Sequence, residues 1–249
     1  MNKLPQSVIN FVIDGLRDPN RDVKREDVLP RDLANYDAVV KYRKASKPVV
    51  KDFIANGYDI IDLQEIKFNS KFSNDERILN LAISWLKKVE DRLLIGALLG
   101  IIFQNKHTSK NLSLILPLAI DQWKNAGNDA KNVRAIAGNI LMRYPQEELM
   151  LTYAKLAVRA EEGRYSESDT SNERWYLVEA LGKIKNPRVC DLLTNLLDDE
   201  RILNFVIKAF GNQKNSKYIP LIEKYVSDSR KYVRDEAIKA LSKIQKSTK

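Results

Sequence analysis

The chain has 249 residues, 44% hydrophobic and 30% charged, so it can bury a sizeable core and is typical of a folded protein. Glycine and proline together supply about 7% of the residues against an average near 12%, which disfavours a turn-rich β-sandwich or barrel. One cysteine and one histidine exclude a disulfide framework, a cysteine-cluster zinc site and a histidine-rich metal site.

Positive charge is concentrated at the carboxyl-terminal end. Residues 201–249 contain twelve lysines and arginines against four acidic residues, a balance of +8 within a formal net charge of +9. This end predicts either contact with nucleic acid or a solvated helix face. Residues 1–16 lack the apolar run of a signal peptide, and the apolar stretch at residues 93–103 is too short to span a bilayer. We therefore expect a cytoplasmic protein with no membrane partner.

The first 70 residues differ from the rest of the chain. Apolar spacing predicts short amphipathic helices over residues 7–16, 31–45 and 48–55, and the third ends at Asn56-Gly57, a common helix stop. Because the end of a repeat array needs a polar-faced cap, we expect residues 1–70 to form an N-terminal helical cap.

From residue 74 onward, apolar residues recur at three- and four-residue spacing, the pattern of amphipathic helices. Most connections are two to six residues long, which forces consecutive helices into antiparallel hairpins. A polar island at residues 161–172 predicts a surface loop. We therefore predict an all-α fold, with helices over residues 75–88, 91–104, 111–124, 129–143, 146–160, 172–184, 187–197, 201–210, 217–227 and 231–245.

The later helices repeat one another. An alanine followed by an apolar and then a small residue recurs at Ala180, Ala209 and Ala240, at spacings of 29 and 31 residues. A two-helix unit of this length cannot bury its apolar face alone, so neighbouring units must stack. The three alanines are expected where one helix closely approaches the next.

Two segments resemble a known repeat family. They are Asp228 followed by residues 233–241 (VRDEAIKAL), and residues 178–184 (VEALGKI), with a weaker copy at Asn128, Val133, Arg134 and Ala137. They resemble HEAT repeats, in particular the short bacterial form of phycobilin-lyase-type proteins. The resemblance implies a right-handed α-solenoid of about five helical hairpins, forming one continuous unit over residues 71–249. In that family the Val-Arg helix lines the concave face and the proline-led helix lies outside.

The resemblance also implies a ladder between adjacent repeats, in which an aspartate in the turn pairs with the arginine of the inner helix. Asp228 and Arg234 match this pattern, whereas the helix over residues 201–211 carries Leu203 at the arginine position. Arg134 and Arg174 are expected to serve the same ladder, which reduces the positive charge left for a partner.

Motifs that carry chemistry are missing from the sequence. It contains no glycine-rich phosphate loop, no HExxH motif and no calcium-binding loop. His107 follows Lys106 at a predicted helix end and is interpreted as a surface cap. Cys190 lies on an apolar stripe and is interpreted as a core residue rather than a nucleophile. We therefore expect a non-enzymatic protein with no catalytic residue, metal or cofactor.

Trp175 occupies the repeat position held by Asn204 and Asp235 in the next two repeats. Polar residues in two of three copies predict a solvent-facing tryptophan on the inner surface, unless the loop over residues 161–171 covers it. An exposed tryptophan is an anchor that protein interfaces favour. We therefore predict a scaffold or adaptor that binds another protein through its concave face, with candidate contact residues Trp175, Arg174, Glu179, Lys208, Lys231, Lys239 and Lys243.

Two other functions stay open at this point. The basic carboxyl-terminal repeats favour a nucleic-acid-binding protein with strong salt dependence. HEAT-like alkylpurine DNA glycosylases share the predicted architecture and use concave tryptophans with an aspartate. Trp175 with Glu179 one turn later is a partial match to that site, in which a glutamate replaces the aspartate. A bilin lyase activity is suggested by the family name alone.

Overall fold

The structure is a computed structural model that describes residues 33–126, 131–158 and 173–247, together with Arg25, Val28 and Pro30. Its secondary structure in these ranges is helical, without a β-strand in them, which confirms the predicted all-α fold. The chain divides into two compact units, of which the first ends at Asn111 and the second begins at Leu112. The helix predicted over residues 7–16 and the loop predicted over residues 161–171 lie outside the described residues.

The first unit contains four α-helices in its described part, which are α1 (Leu33–Ala55), α2 (Leu63–Phe68), α3 (Glu76–Leu86) and α4 (Arg92–Gln104). Helix α2 has only two buried residues, Leu63 and Ile66, which are too few to form a readable period. The sequence therefore did not predict this helix. Asp62 and Glu65 form a capping box that starts α2.

Helix α1 is one continuous helix, so the prediction of two separate helices over residues 31–45 and 48–55 is wrong. Pro48 lies inside it and removes one backbone donor, which costs about 3 kcal/mol in an ordinary helix interior. Buried Tyr42, Val49 and Phe53 lie on both sides of the proline, and α1 packs against α3 and α4. This packing keeps the helix intact across the proline. The helix then ends at Ala55, and Gly57 adopts the left-handed backbone with φ of 89° that a helix stop requires.

The second unit continues with helices whose bounds follow the predicted ones within a few residues. The largest difference at a helix start is in the helix predicted from residue 146, where a 3₁₀ turn over Glu147–Leu149 comes first and the α-helix begins at Met150. The helices are α5 (Leu112–Asn125), α6 (Lys131–Arg143), α7 (Met150–Ala157), α8 (Trp175–Lys183), α9 (Arg188–Thr194), α10 (Leu203–Gln213), α11 (Ile219–Glu223) and α12 (Lys231–Ser247).

These helices form a series of neighbouring pairs. Helix α6 packs against α8, α8 against α10 and α10 against α12, and we call these four the inner helices. Each of α5, α7, α9 and α11 packs against the inner helix that follows it, and we call them the outer helices. The number of hairpins, their right-handed arrangement, and the division into a cap over residues 1–70 and a repeat unit over residues 71–249 stay predictions.

Small residues set the distance between inner helices. A Cβ atom added to Gly182 in α8 would lie 2.9 Å from the Ala209 Cβ atom in α10. A Cβ atom added to Gly211 in α10 would lie 2.7 Å from the Ala240 Cα atom in α12. Both separations are too short for real atoms, so the inner helices meet at glycine–alanine contacts, as expected for Ala209 and Ala240.

Candidate protein-binding surface on the inner helices

The inner helices present equivalent residues at a constant offset from one reference position. That position is Arg134 in α6, Arg174 directly before α8, Leu203 in α10 and Arg234 in α12. The residues five positions later form what we call the central row, Asn139, Glu179, Lys208 and Lys239. The residues nine positions later form the basic edge, Arg143, Lys183, Asn212 and Lys243.

The arginines at the reference position bind backbone carbonyls near the ends of the outer helices. The Nη1 atom of Arg134 donates to the Ala126 carbonyl at 3.0 Å, and that of Arg174 donates to the Ala157 carbonyl at 3.2 Å. The last carbonyls of a helix have no intrahelical donor, so these contacts satisfy groups that would otherwise lose a hydrogen bond. Each arginine therefore fastens an inner helix to the outer helix before it.

Two of these arginines also form buried ion pairs. The Nη1 atom of Arg174 lies 2.5 Å from Asp199 Oδ2, and the Arg134 Nε atom lies 3.4 Å from Glu173 Oε2. Arg174 is only 2% exposed, so its guanidinium faces the interior. We therefore withdraw Arg174 from the candidate contact residues, because a partner cannot reach it without disrupting this pair.

The arginine of α12 differs from the ladder that the family resemblance implied. Arg234 Nη1 donates to the backbone carbonyls of Asp228 at 2.7 Å and Ser229 at 2.9 Å. The Asp228 carboxylate instead accepts from the Arg230 side chain at 2.9 Å through each oxygen. These hydrogen bonds lower the pKa of Asp228 to about 2. In α10, the remaining inner helix, the reference position is apolar, and Leu203 is buried.

Three stacked aromatic residues lie across α8 and α10, and we call them the aromatic cluster. The Trp175 ring centroid lies 3.7 Å from that of Tyr176 and 5.3 Å from that of Phe205. All three side chains are half-buried, so Trp175 is neither fully exposed nor enclosed by the described residues. The Tyr176 hydroxyl accepts a hydrogen bond from Asn139 Nδ2 at 3.1 Å, which extends the contact to α6.

The central row joins neighbouring inner helices beside the aromatic cluster. The Lys208 ammonium on α10 pairs with the Glu179 carboxylate on α8, so the two charges largely neutralise each other. Lys239 on α12 is exposed, with its Nζ atom 3.8 Å from Glu236 on the same helix. Lys231 is exposed in the first turn of α12. Positive charge is thus more accessible on α12 than at the pair between α8 and α10.

The basic edge runs along the carboxyl-terminal turns of the inner helices. Lys183 Nζ donates to the Met142 carbonyl at 2.8 Å, and Lys243 Nζ donates to Asn212 Oδ1 at 3.1 Å. Each bond crosses to the preceding inner helix and holds an exposed ammonium in place. An ammonium has three N–H donors, and each lysine uses one of them in this contact. The other two can donate to water or to a partner.

The predicted contact residues fall into two groups. Trp175, Glu179 and Lys208 are brought together by the contact of α8 with α10, whereas Lys231, Lys239 and Lys243 lie on α12. The predicted contact residues did not include Tyr176, Phe205, Lys183 or Asn212, although Lys183 is one of the basic residues of the predicted inner helices. The signal that could have found them is the constant offset from the reference position, since it places all four on the inner helices beside the predicted residues.

The single cysteine and histidine contribute to structure. Cys190 is buried in α9 as predicted, and burial raises the pKa of its thiol to about 11. His107 lies after α4, where its Nε2 atom is 3.0 Å from the Asn74 carbonyl. Across the described ranges, histidine, cysteine, aspartate and glutamate form no group of three or more that could hold a metal ion. Nor is any helix of these ranges long and apolar enough to cross a membrane.

The described residues form an all-helical fold in which each inner helix packs against the next. Residues 173–199 match the family model of the PBS lyase HEAT-like repeat, which confirms the resemblance predicted for this region. The matched stretch begins at buried Glu173, contains α8 and α9, and ends at Asp199, so it includes both residues of the Arg174–Asp199 ion pair. A comparison with curated proteins finds no match to this chain.

Proposed function

We propose that the second unit is a short solenoid of HEAT-like hairpins that acts as a non-enzymatic scaffold and binds another protein on its inner helices. The observation that carries this proposal is the half-buried aromatic cluster, which crosses from α8 to α10 beside the Glu179–Lys208 pair. Tryptophan and tyrosine are the residues that contribute most to binding energy at protein interfaces.

The charges around the aromatic cluster support an acidic partner. Lys183 and Lys243 of the basic edge, and Lys231 and Lys239 of α12, are exposed. Exposed ammonium groups on α8 and α12 therefore favour a partner segment that carries carboxylates.

The surface is also held rigid before a partner arrives. Glycine–alanine contacts fix the helix spacing, the arginine contacts fasten inner to outer helices, and Gln213 Nε2 donates to the Ile184 carbonyl at 2.7 Å. A preorganised surface loses little conformational entropy on binding. The proposed site thus combines an aromatic anchor, a cationic border and a fixed backbone.

Affinity capture from native cells followed by binding measurements tests this proposal. Trp175→Ala is expected to weaken binding of the captured protein about 30-fold, the equivalent of 2 kcal/mol at an interface hot spot. Lys183→Glu together with Lys243→Glu should weaken it further at low salt. Phe68→Ala, which removes an exposed aromatic side chain of the first unit, is the matched control and should leave binding unchanged.

Two outcomes would contradict the scaffold. One is capture of the same protein at equal affinity by wild type and Trp175→Ala, with thermal unfolding showing that the variant is folded. The other is equal loss of binding in Phe68→Ala, because that residue is outside the proposed surface.

Nucleic-acid binding is the second candidate, and the charge balance of +8 over residues 201–249 favours it. It predicts that duplex DNA or RNA binds at about 50 mM salt and is lost by about 200 mM salt. Replacing Lys231, Lys239 and Lys243 by glutamate should abolish this binding, whereas Trp175→Ala should preserve it. A gel shift that fails even at low salt would remove this candidate.

A glycosylase activity is not proposed. The acid that would serve such a site is Glu179, and its carboxylate pairs with Lys208. A carboxylate held by a neighbouring ammonium is engaged in structure rather than directed to a substrate.

A further inference from the structure

The Lys67 side chain in the first unit packs directly on Gly100, and we call the place that its stem occupies against the glycine backbone the groove. Lys67 is in the last turn of α2, and its hydrocarbon stem crosses Gly100 of α4. A Cβ atom added to Gly100 would lie 2.7 Å from Lys67 Cε, 2.9 Å from Cδ and 3.4 Å from Cγ. The backbone of α4 is therefore the wall against which the lysine stem packs.

The ammonium at the end of this stem has no ion-pair partner in the part of the chain that the structure describes. No carboxylate there lies within 4.0 Å of Lys67 Nζ, and Glu65, the nearest acid on α2 in sequence, accepts from the Ile61 and Asp62 backbone amides. Burial of the side chain lowers the pKa of Lys67, because water solvates the charged form better than the groove does.

Lys71 provides an internal comparison four residues later. Lys67 Nζ lies 4.9 Å from the ring centroid of Phe68, and Lys71 Nζ lies 4.5 Å from that of Phe72. Each ring favours a charged ammonium to a similar degree. Lys71 is exposed, however, whereas the Lys67 stem is packed on Gly100. The two lysines therefore differ mainly in the groove.

We propose that Lys67 is a modification site, at which the ε-amine accepts an acyl group from an acyl thioester or acyl phosphate more readily than Lys71 does. The uncharged amine attacks the carbonyl carbon, so a nitrogen–carbon bond forms while the carbon–sulfur or carbon–oxygen bond breaks. The amine proton passes to water, and the thiolate or phosphate leaves with the electron pair of the broken bond. The product is a neutral amide.

The groove suits this product better than it suits the ammonium. An amide carries no charge, so burial costs the acylated side chain less free energy than it costs the ammonium. The methylene groups stay packed on Gly100 in both forms. Acylation of Lys67 is thus compatible with the contact between α2 and α4.

Acetyl phosphate is the probe for the experiment, used on the full-length folded chain. Cleavage after Glu65 and before Asp75 yields one peptide, residues 66–74, which contains both lysines, and tandem mass spectrometry assigns acetylation to each. Lys67 is expected to react at least about threefold faster than Lys71, since a lower pKa leaves more free amine at neutral pH. Equal rates, or faster reaction of Lys71, would overturn the proposal.

Two controls connect the difference to the groove. In denaturant the two lysines should react at equal rates, because the groove is then absent. Gly100→Ala displaces the Lys67 stem and should bring its rate down to that of Lys71. If this variant does not fold, the pH dependence of acetylation in the wild-type chain decides, because Lys67 must reach half its maximal rate at a lower pH than Lys71.

Discussion

At the scale of single residues, Gly211 determines how closely α10 approaches α12. A methyl group there would lie 2.7 Å from Ala240 Cα, a backbone atom that cannot rotate away. We expect Gly211→Ala to lower the free energy of unfolding by about 1–3 kcal/mol, the usual effect of overpacking. Denaturant unfolding followed by circular dichroism measures this loss.

Gly96 in α4 is the matched control for that substitution. A Cβ atom there has no neighbouring atom within 4 Å, so Gly96→Ala gains helix propensity without a clash. It should raise the free energy of unfolding by up to about 1 kcal/mol. If both variants change the free energy of unfolding in the same direction, the close contact with Ala240 does not determine the effect of Gly211→Ala.

The low pKa of Asp228 predicts how the stability of the folded protein changes in acid. Arg230 holds the pKa of its carboxyl at about 2 in the folded protein, below the ordinary value near 3.9. The stabilisation is therefore fully present above about pH 4 and is lost as the pH falls toward 2. Asp228→Asn should show a smaller decrease in unfolding free energy between pH 5 and pH 2 than wild type does. An unchanged pH profile would contradict this assignment.

Single residues also show how far the sequence predicts the site. The position of Trp175 was predictable because Asn204 and Asp235 at equivalent positions are polar. The offset from the reference position places Phe205 on α10, but an aromatic residue beside Val206 resembles core, and only the packing of α8 on α10 brings its ring against Trp175. Arg174 was predicted both as a ladder arginine and as a contact residue, and its pair with Asp199, 25 residues later in the chain, agrees with the ladder role.

At the scale of elements, Arg174 connects the start of α8 with the end of α7, through the Ala157 carbonyl, and with the connection between α9 and α10, through Asp199. Arg174→Leu should destabilise the second unit by about 3–5 kcal/mol, because it leaves a carboxylate without its buried partner. Thermal or denaturant unfolding tests this expectation.

Leu203 in α10 is the internal control for the Arg174→Leu variant. It occupies the equivalent position and is buried, so a leucine side chain fits an inner helix there. Adding Asp199→Asn to Arg174→Leu should therefore recover part of the lost stability. A double variant as unstable as the sum of the two single variants would exclude coupling between these residues.

The helices also show which structural features local sequence signals predict and which they do not. The helix bounds after residue 74 followed mainly from apolar periodicity, since most of these helices bury one stripe, whereas α4 is buried continuously from Leu94 to Ile102. Pro48 suggested a break in α1 because proline weakens any isolated helix. The helix continues because Val49 and Phe53 are buried against other helices, and that tertiary contribution has no local signature.

At the scale of the whole molecule, the second unit is expected to be least protected at α12. Its described contacts are with α10 and α11, and Ile238 is 56% exposed. Val178 and Ile207, four positions after the reference in α8 and α10, are 0% exposed. Amides of α12 should therefore exchange hydrogen faster than those of α8 and α10, as native-state exchange followed by mass spectrometry would show. Equal protection would contradict this.

The distribution of charge over the molecule was predictable from the sequence, but its placement was not. Counting residues reveals the basic carboxyl-terminal end directly. Which lysines border the aromatic cluster depends on the register between neighbouring helices, set by glycine–alanine contacts such as Gly182 with Ala209. One residue of slippage would turn Lys183 and Lys243 to other faces.

The recurrence of that contact has a consequence for how such a chain can evolve or be engineered. Gly182 meets Ala209 as Gly211 meets Ala240, so α10 presents an alanine to the helix before it and a glycine to the helix after it. A duplicated α9–α10 hairpin would find a complementary surface on both sides. The second unit can thus be lengthened by tandem duplication of an internal segment, with the binding surface growing one helix at a time.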